Sequence, residues 1–277
     1  MSDIKGYVVG WSAPTYVTPH QFLEAAERVG GYDASVVYDY HAAAFATAVN
    51  AMLRRKQNVS VFVRRVSKQP DGVLFALVLE RRQPDTIETY PDVIFRVPLS
   101  PAEPARVLRV DHRFPSTPTE LQTQLDTVRG QVCAASVLSR LTRVVTRGGA
   151  VALRKGGGAY FIPRAREHLV TTVEETLAAL GGEVMKFAVT GQEYELKTIF
   201  ESLRDQFNMM VHQLQLRAEQ AKREKTLDRL TNELTQLIDT VSVYKDILGT
   251  YASALDEIFD NAKRALIERV AIQPSLA

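Results

Sequence analysis

The chain has 277 residues, of which 45% are hydrophobic and 24% are charged, and its formal net charge at pH 7 is +2. This length and composition allow one or two buried cores and exclude wholesale disorder. No apolar run approaches the roughly 18 residues of a membrane helix, the N-terminus lacks a signal-peptide core, and the one cysteine, Cys133, cannot form an internal disulfide. We therefore expect a cytoplasmic protein with no membrane partner.

The first predicted domain, residues 1–115, begins with a strong helix signal. Thr18 can cap a helix, Pro19 suits its first position, and Gln21 completes a capping box. This helix should run to about Val29, because two glycines follow and glycine commonly ends a helix.

A second, alanine-rich helix is predicted over about 39–55, and strand signals surround these two helices. The predicted strands are Tyr7–Trp11, Val59–Val66, Gly72–Glu80, Val93–Val97 and Val107–Val110. The last four have short connections, which predicts an antiparallel meander with helices on one face. The fold class expected for this part is α+β.

The second predicted domain, residues 116–182, is a winged-helix-like basic unit. Helix is predicted from its start to about Arg147, with Gly130 as a break point. Two short β runs, at 150–153 and 159–162, predict a hairpin, and another helix follows it.

Charge is distributed unevenly in this unit. Residues 127–166 contain eight lysines and arginines and no acidic residue. The helical spacing of 100° per residue places the apolar side chains on one arc and Arg140, Arg143 and Arg147 on another. Arg154 and Lys155 lie at the tip of the hairpin. We therefore predict that these five residues contact nucleic-acid phosphates, as the second helix and the wing of a winged helix-turn-helix do.

The same cationic residues allow two other interpretations. They can form a solvated face that pairs with acids such as Glu174, Glu175 or Glu183, or they can dock an acidic protein partner. Charge alone does not choose among the three.

The third predicted domain, residues 190–270, is helical and opens with a capping box at Thr190 and Glu193. Two heptad registers follow, and they do not join in phase. The first register is Leu196, Phe200, Leu203, Phe207, Met210 and Leu214, and the second is Leu227, Leu230, Leu234, Leu237, Val241, Tyr244, Leu248, Tyr251, Leu255, Ile258, Ala262 and Ala265. They predict either a helical hairpin turning near 222–226 or a coiled-coil rod about 110 Å long.

The flanking positions of the second register are also apolar. Ile238, Ile247, Phe259 and Leu266 occupy them, which makes the stripe too wide for one partner helix. This predicts contact with at least two neighbours, within the chain, in a homo-oligomer or in a helical protein partner.

Catalytic motifs are not found in the sequence. Gly156–Gly158 lacks the ending of a phosphate-binding loop, and the five histidines have no zinc-type spacing. No cofactor, metal site or enzymatic activity is predicted. An active site assembled only by folding, from Asp39, His41 and His112, stays as an alternative.

The hairpin carries one short motif, Gly157-Gly158-Ala159-Tyr160-Phe161-Ile162-Pro163. This run, followed by a helix and a long helical tail, resembles a group of uncharacterised phage and bacterial proteins. The resemblance extends from about residue 130 to the C-terminus and implies a phage-borne or mobile gene. It implies no activity, because that group has no known function to transfer.

The function predicted from the sequence is therefore a non-enzymatic, oligomeric, nucleic-acid-associated protein. The alternative is a structural or adaptor protein whose helical tail binds another protein.

Overall fold

The structure is a computed structural model that describes residues 4–31, 44–49, 60–83, 86–98, 103–110, 118–154, 157–220, 239–257 and 260. Contacts group the chain into two compact units. The first unit comprises Met1–Ser12, Leu141–Leu177 and Glu183–Ala277, and the second comprises Ala13–Arg140 and Ala178–Gly182. The predicted domains, 1–115, 116–182 and 190–270, are a statement about which parts fold independently. That division stays a prediction.

The part of the chain that the structure describes contains both strands and helices. The strands are β1 (Gly6–Ser12), β2 (Tyr16–Val17), β3 (Ser60–Gln69), β4 (Gly72–Gln83), β5 (Thr86–Pro98), β6 (Arg106–Val110), β7 (Val132–Cys133), β8 (Val151–Ala152), β9 (Tyr160–Pro163) and β10 (Glu183–Val189). The helices are α1 (Pro19–Arg28), α2 (44–49), α3 (Pro118–Asp126), α4 (Ala135–Arg147), α5 (His168–Leu180), α6 (Glu193–Gln220) and α7 (239–257, with a 3-10 turn at Gly249–Tyr251). A mixed α and β fold with antiparallel sheets is confirmed.

Helix α1 begins and ends as its sequence predicts. The backbone N–H of Gln21 donates to Thr18 Oγ1 at 3.2 Å, and Gln21 Oε1 accepts from the Thr18 N–H at 3.0 Å. Both contacts satisfy groups that the first helical turn leaves open. At the other end, Gly30 has φ of +99°, a left-handed conformation that favours glycine and stops the helix.

The predicted antiparallel meander is confirmed in the second unit. Strands pair in the order β3-β4-β5-β6, and the two-residue turn Pro70-Asp71 joins the first two. Strand β5 is longer than predicted because it continues through Pro91, next to a shift in register. The shift leaves the neighbouring Asp92 without a partner on β4, and an irregularity of this kind is one of the few places where a strand accommodates proline.

One face of the meander packs on helices. Phe75 and Phe95 stack with ring centroids 5.4 Å apart, and Phe45 of α2 and Leu121 and Leu125 of α3 belong to the same buried cluster. Of the predicted helix at 39–55, residues 44–49 are helical and the others lie outside the described residues.

Gly130 separates two helices, as predicted. It has φ of +73°, and the chain then forms the short strand β7 before α4 begins. Strand β7 pairs with β2 in the register Tyr16 with Cys133. The Cys133 side chain is buried and its thiol is free.

The first unit contains a four-stranded antiparallel sheet in the order β10-β1-β9-β8. The predicted hairpin is confirmed as β8 and β9, paired through Val151 with Phe161. Strand β1, which the sequence places near the meander, pairs with β9 and β10 instead. Strand β10 was not predicted at all. The winged-helix arrangement stays a prediction.

The helical tail folds back on itself. Phe200 of α6 and Tyr251 of α7 stack with ring centroids 5.0 Å apart. In one straight helix, positions 200 and 251 would lie about 76 Å apart at 1.5 Å per residue, so the continuous rod is excluded. The reversal predicted near 222–226 lies outside the described residues, and a coiled coil stays a prediction.

Tyr244 occupies the centre of this arrangement and is fully buried. Its ring contacts Phe161 of the sheet edge-on, with centroids 5.9 Å apart, and its hydroxyl donates to the carbonyl of Gly149 at 2.9 Å. Because α7 packs on both α6 and the sheet, the prediction that its wide stripe needs two neighbours is confirmed.

The start of α6 differs from the predicted capping box. The capping carboxylate at the start of the helix is Glu195, and not Glu193. Its Oε2 accepts hydrogen bonds from the backbone N–H of Thr190, Gly191 and Gln192 at 3.1, 3.0 and 3.0 Å. The helix begins at Glu193, so the third helical position, where a capping carboxylate acts, is Glu195.

Candidate nucleic-acid interface

Helix α4 carries the predicted arginine stripe and is amphipathic. Val137, Leu141 and Val145 recur every four residues and are completely buried. These side chains fix which face of the helix points inward, so the remaining positions are set by the helical period. The three arginines of the stripe, however, have different surroundings.

Arg140 is half-buried and binds the end of another helix. Its Nε donates to the carbonyl of Val29 at 2.9 Å, and a terminal guanidinium nitrogen donates to the carbonyl of Gly30 at 3.1 Å. The last carbonyls of a helix lack intrahelical partners and carry partial negative charge. Arg140 therefore stabilises the end of α1.

Arg143 and Arg147 point away from the buried face and are exposed. Neither side chain has a hydrogen bond or ion pair with another residue in the part of the chain that the structure describes. They lie one helical turn apart, which is a rise of about 6 Å along the axis. These two guanidinium groups can bind anions without first losing a partner from the described residues.

The hairpin places Arg154 at the surface, but its side chain is partly engaged. Its Nε donates to the carbonyl of Gly157 at 2.7 Å, which closes the turn between β8 and β9. Gly157 and Gly158 both have positive φ, at +78° and +92°, as this turn requires. Lys155 lies outside the described residues.

A pocket of about 740 Å³ lies between the hairpin and α6. Arg154 and Tyr160 line one side, and Glu201, Asp205 and Met209 line the other. Two carboxylates thus oppose one guanidinium. A phosphate that entered this pocket would approach the carboxylates, so the pocket is less suited to phosphate than the outer side of α4.

Other cationic residues between positions 127 and 166 have partners. Arg166 forms an ion pair with Asp239 of α7, and Arg129 and Arg164 also take part in interactions. Among the acids proposed as partners for the stripe, Glu174 accepts instead from Lys186 at 2.9 Å. Of the three arginines in the stripe, Arg140 is therefore bound, and Arg143 and Arg147 have no partner among the described residues.

A polar cluster that the sequence did not reveal lies across β1, β10 and α5. The Tyr7 hydroxyl donates to Glu167 Oε1 at 2.8 Å, and Lys186 Nζ lies 5.3 Å from the centre of the Tyr7 ring. The hydrogen bond to Glu167 raises the pKa of Tyr7, and the one to Glu174 raises the pKa of Lys186. The pairing of β1 with both β9 and β10 brings these residues together from distant parts of the sequence, so no local motif could predict the cluster.

Metal and acid-base chemistry has little support in the described ranges. No group of three histidine, cysteine or carboxylate side chains is arranged for a metal ion among them. His20 lies 3.9 Å from Glu24 at an exposed position. The alternative site of Asp39, His41 and His112 lies outside the described residues, and the prediction of no enzymatic activity stays a prediction.

Within the described residues, no helix is long and apolar enough to cross a membrane. Neither a curated protein nor a solved structure matches the chain. A family model described as a family of unknown function, DUF6744, matches residues 6–273. This agrees with the predicted resemblance to a group without a function to transfer, while the phage association stays a prediction. Because the match covers nearly the whole sequence, the chain belongs to the DUF6744 family.

Proposed function

We propose that this protein is a non-enzymatic, nucleic-acid-associated protein that binds the phosphates of duplex DNA through the outer side of α4. The observation that carries the proposal is the pair Arg143 and Arg147, exposed and one turn apart, with no partner among the described residues. Arginine suits this role because its planar guanidinium makes directed hydrogen bonds to phosphate oxygens.

The surrounding charge supports the same surface. No acidic residue occurs between positions 127 and 166, so the sequence on either side of these arginines contributes no carboxylate that would repel a phosphate. Opposite charges attract over about 10 Å at 0.1 M salt, which favours approach of a polyanion. Arg154 and Lys155 extend the proposed surface at the hairpin tip. Arg140 is left out of it, because its guanidinium binds α1.

The winged-helix interpretation belongs to this proposal. Helix α4 would lie against the duplex, and the hairpin β8–β9 would act as the wing. Because β9 pairs with β1 as well as β8, only the tip of this wing can project toward a ligand. The tip contains Arg154, and Lys155 follows it in the sequence; these are the two cationic residues expected to contact the backbone.

The proposal can be tested by fluorescence anisotropy with a labelled DNA duplex. We expect Arg143→Gln with Arg147→Gln to weaken binding about tenfold or more at 0.1 M salt, because two charge-assisted contacts are lost. The matched control is Arg106→Gln with Arg109→Gln, which removes the same charge from exposed positions on β6. An equal loss in both variants, or no binding by the wild type at low salt, would contradict the proposal.

The alternative function is a structural or adaptor protein. It is favoured by exposed apolar side chains on α6: Met209 is 61% exposed, and Met210 and Leu216 are also exposed. A partner helix could cover them, since apolar patches of this kind commonly mark protein contacts. The same DNA titration separates the two functions, because an adaptor of this type needs no affinity for the duplex.

A further inference from the structure

We propose that two copies of this chain pair through the outer edges of their β10 strands, so that two four-stranded sheets become one continuous antiparallel sheet across a two-fold axis. The proposal concerns the β10 edge alone and is independent of DNA binding.

The free hydrogen-bonding groups of β10 follow from the pairing pattern. The N–H of Leu153 donates to the carbonyl of Ala159 at 2.9 Å, so residues 159 and 161 point their backbone groups toward β8. Residues 160 and 162 therefore point theirs toward β1, where they pair with residues 9 and 7. Residues 6, 8 and 10 then point toward β10 and bond with 189, 187 and 185. The N–H and C=O groups of residues 184, 186 and 188 consequently point outward, and no other described strand pairs with them.

The opposite edge of the same sheet is treated differently. There the outward-pointing N–H of Ala152 on β8 donates to Gln206 Oε1 of α6 at 3.1 Å. Helix α6 thus covers the β8 edge, whereas the backbone groups of residues 184, 186 and 188 have no such partner among the described residues. Proteins usually cover or charge such an edge, because it readily pairs with another strand.

The side chains beside the open edge are unusually apolar for exposed positions. Met185 is 60% exposed and Phe187 is 64% exposed. The register places both on the same face of the sheet as Val8 and Phe161, where the core of the first unit lies. Burying these two side chains against another apolar surface would remove their apolar area from water, which is energetically favourable.

One register makes β10 complementary to itself. With the two-fold axis at residue 186, residue 184 of one copy lies opposite residue 188 of the other, and the two residues 186 lie opposite each other. All the outward backbone groups of residues 184, 186 and 188 then form hydrogen bonds. Residue 185 then lies opposite 187. Each exposed Met185 contacts a Phe187 of the second copy, which is a favourable pairing of sulfur with an aromatic ring. Axes at 185 or 187 would leave some of the outward groups unpaired.

Charge complementarity is compatible with this register. The two Lys186 residues meet at the axis, but each ammonium is bound by Glu174 of its own copy at 2.9 Å. Two lysines and two carboxylates therefore meet there, and the charges balance. A second copy is the occupant we infer, because a two-fold contact uses the same surface on both molecules and this surface matches itself in hydrogen-bonding groups, apolar side chains and charge.

The test is the mass of the full-length protein by sedimentation equilibrium, with circular dichroism to confirm folding. We expect the wild type to have twice the 30.9 kDa of one chain. The variant Met185→Lys with Phe187→Lys should sediment as one chain, because four like charges would meet at the axis. The variant Met185→Lys with Phe187→Glu should regain the double mass, because each lysine then opposes a glutamate.

A third variant tests the backbone. Ala188→Pro removes an outward N–H and leaves the ladder between β1 and β10 intact, so it should fold and sediment as one chain. A wild type that sediments as one chain would overturn the proposal. Double mass in the Lys/Lys variant would also overturn it and would indicate assembly through another surface, such as α6. Failure of the Lys/Glu variant to regain the double mass would reject the register.

Discussion

The three arginines of α4 illustrate what residue spacing can and cannot predict. The helical period correctly places them away from Val137, Leu141 and Val145, because a rotation of 100° per residue puts the two sets of side chains on different arcs of the helix. It cannot predict that Arg140 reaches the end of α1, since that contact joins residues 110 or more positions apart. Long-range pairing thus decides which arginines remain open.

Arg140 should therefore matter for stability more than its neighbour in the stripe. We expect Arg140→Gln to lower the free energy of unfolding by about 1–2 kcal/mol, because two helix-end carbonyls lose charge-assisted donors. Arg143→Gln, at an exposed position, should change it by less than about 0.5 kcal/mol. Urea denaturation of both variants measures the difference, and equal values would contradict the structural role of Arg140.

Tyr244 predicts a pH dependence at the alkaline end. Burial raises the pKa of its hydroxyl well above the ordinary value of about 10. The folded state holds the proton more tightly than the unfolded state, so this stabilisation is complete below about pH 10 and is lost as pH rises toward the higher folded-state pKa. Stability should therefore fall steeply above about pH 10.

The variant Tyr244→Phe should have a shallower alkaline decline than the wild type, and Tyr194→Phe, at an exposed position, is the control. Urea denaturation across this pH range measures the slopes. In an absorbance titration, one tyrosine of the ten in the chain should ionise only when the protein unfolds. Parallel pH profiles for the wild type and Tyr244→Phe would reject the assignment.

Among the elements, helices with local signals were predictable. The start of α1 follows from Thr18, Pro19 and Gln21, because every contact lies within four residues. The start of α6 was misplaced by a few residues because two glutamates, Glu193 and Glu195, are both available to a capping site. Only the position of the first helical turn decides which of the two glutamates caps the helix.

The two glutamates give a matched pair for testing the cap. We expect Glu195→Ala to destabilise the protein by about 1–2 kcal/mol, because three backbone N–H groups lose their acceptor. Glu193→Ala, at an exposed position of the first turn, should cost less than about 0.5 kcal/mol. Thermal or urea unfolding compares the two variants, and a larger effect from Glu193→Ala would support the capping box of Thr190 and Glu193 instead.

Strand β10 was missed for a physical reason. A half-buried strand alternates apolar and polar residues, whereas the consecutive residues Met185, Lys186 and Phe187 are all exposed. The strand is held by its backbone ladder to β1 and by the Lys186 ion pair, and neither leaves a local pattern. The β3–β6 meander, by contrast, was predictable because its strands follow one another with short connections.

For the whole molecule, the domains predicted along the sequence differ from the two compact units into which the contacts group the chain. Strand β1 pairs with strands more than 150 residues further along, so residues 6–12 belong with the C-terminal elements. No sequence period reports such a pairing. The folding back of the tail was one of two alternatives in the sequence, and the Phe200–Tyr251 contact decides between them.

The proposed DNA-binding surface was predictable from the sequence only in part. The absence of acids from 127 to 166 is visible in the sequence, and so is the spacing of Arg143 and Arg147. The acidic wall of the pocket beside Arg154 is not, because Glu201 and Asp205 come from α6, which folding brings beside the hairpin. Folding therefore narrows the candidate surface to the outer side of α4 and the hairpin tip.

The most direct test of phosphate binding is the salt dependence of duplex affinity. The slope of log affinity against log salt counts the phosphates neutralised, at about 0.9 per contact. Replacing Arg143 and Arg147 with glutamine should lower the magnitude of that slope by about 1.8, while replacing Arg106 and Arg109 should leave it unchanged. An identical slope in the wild type and the Arg143/Arg147 variant would contradict the account.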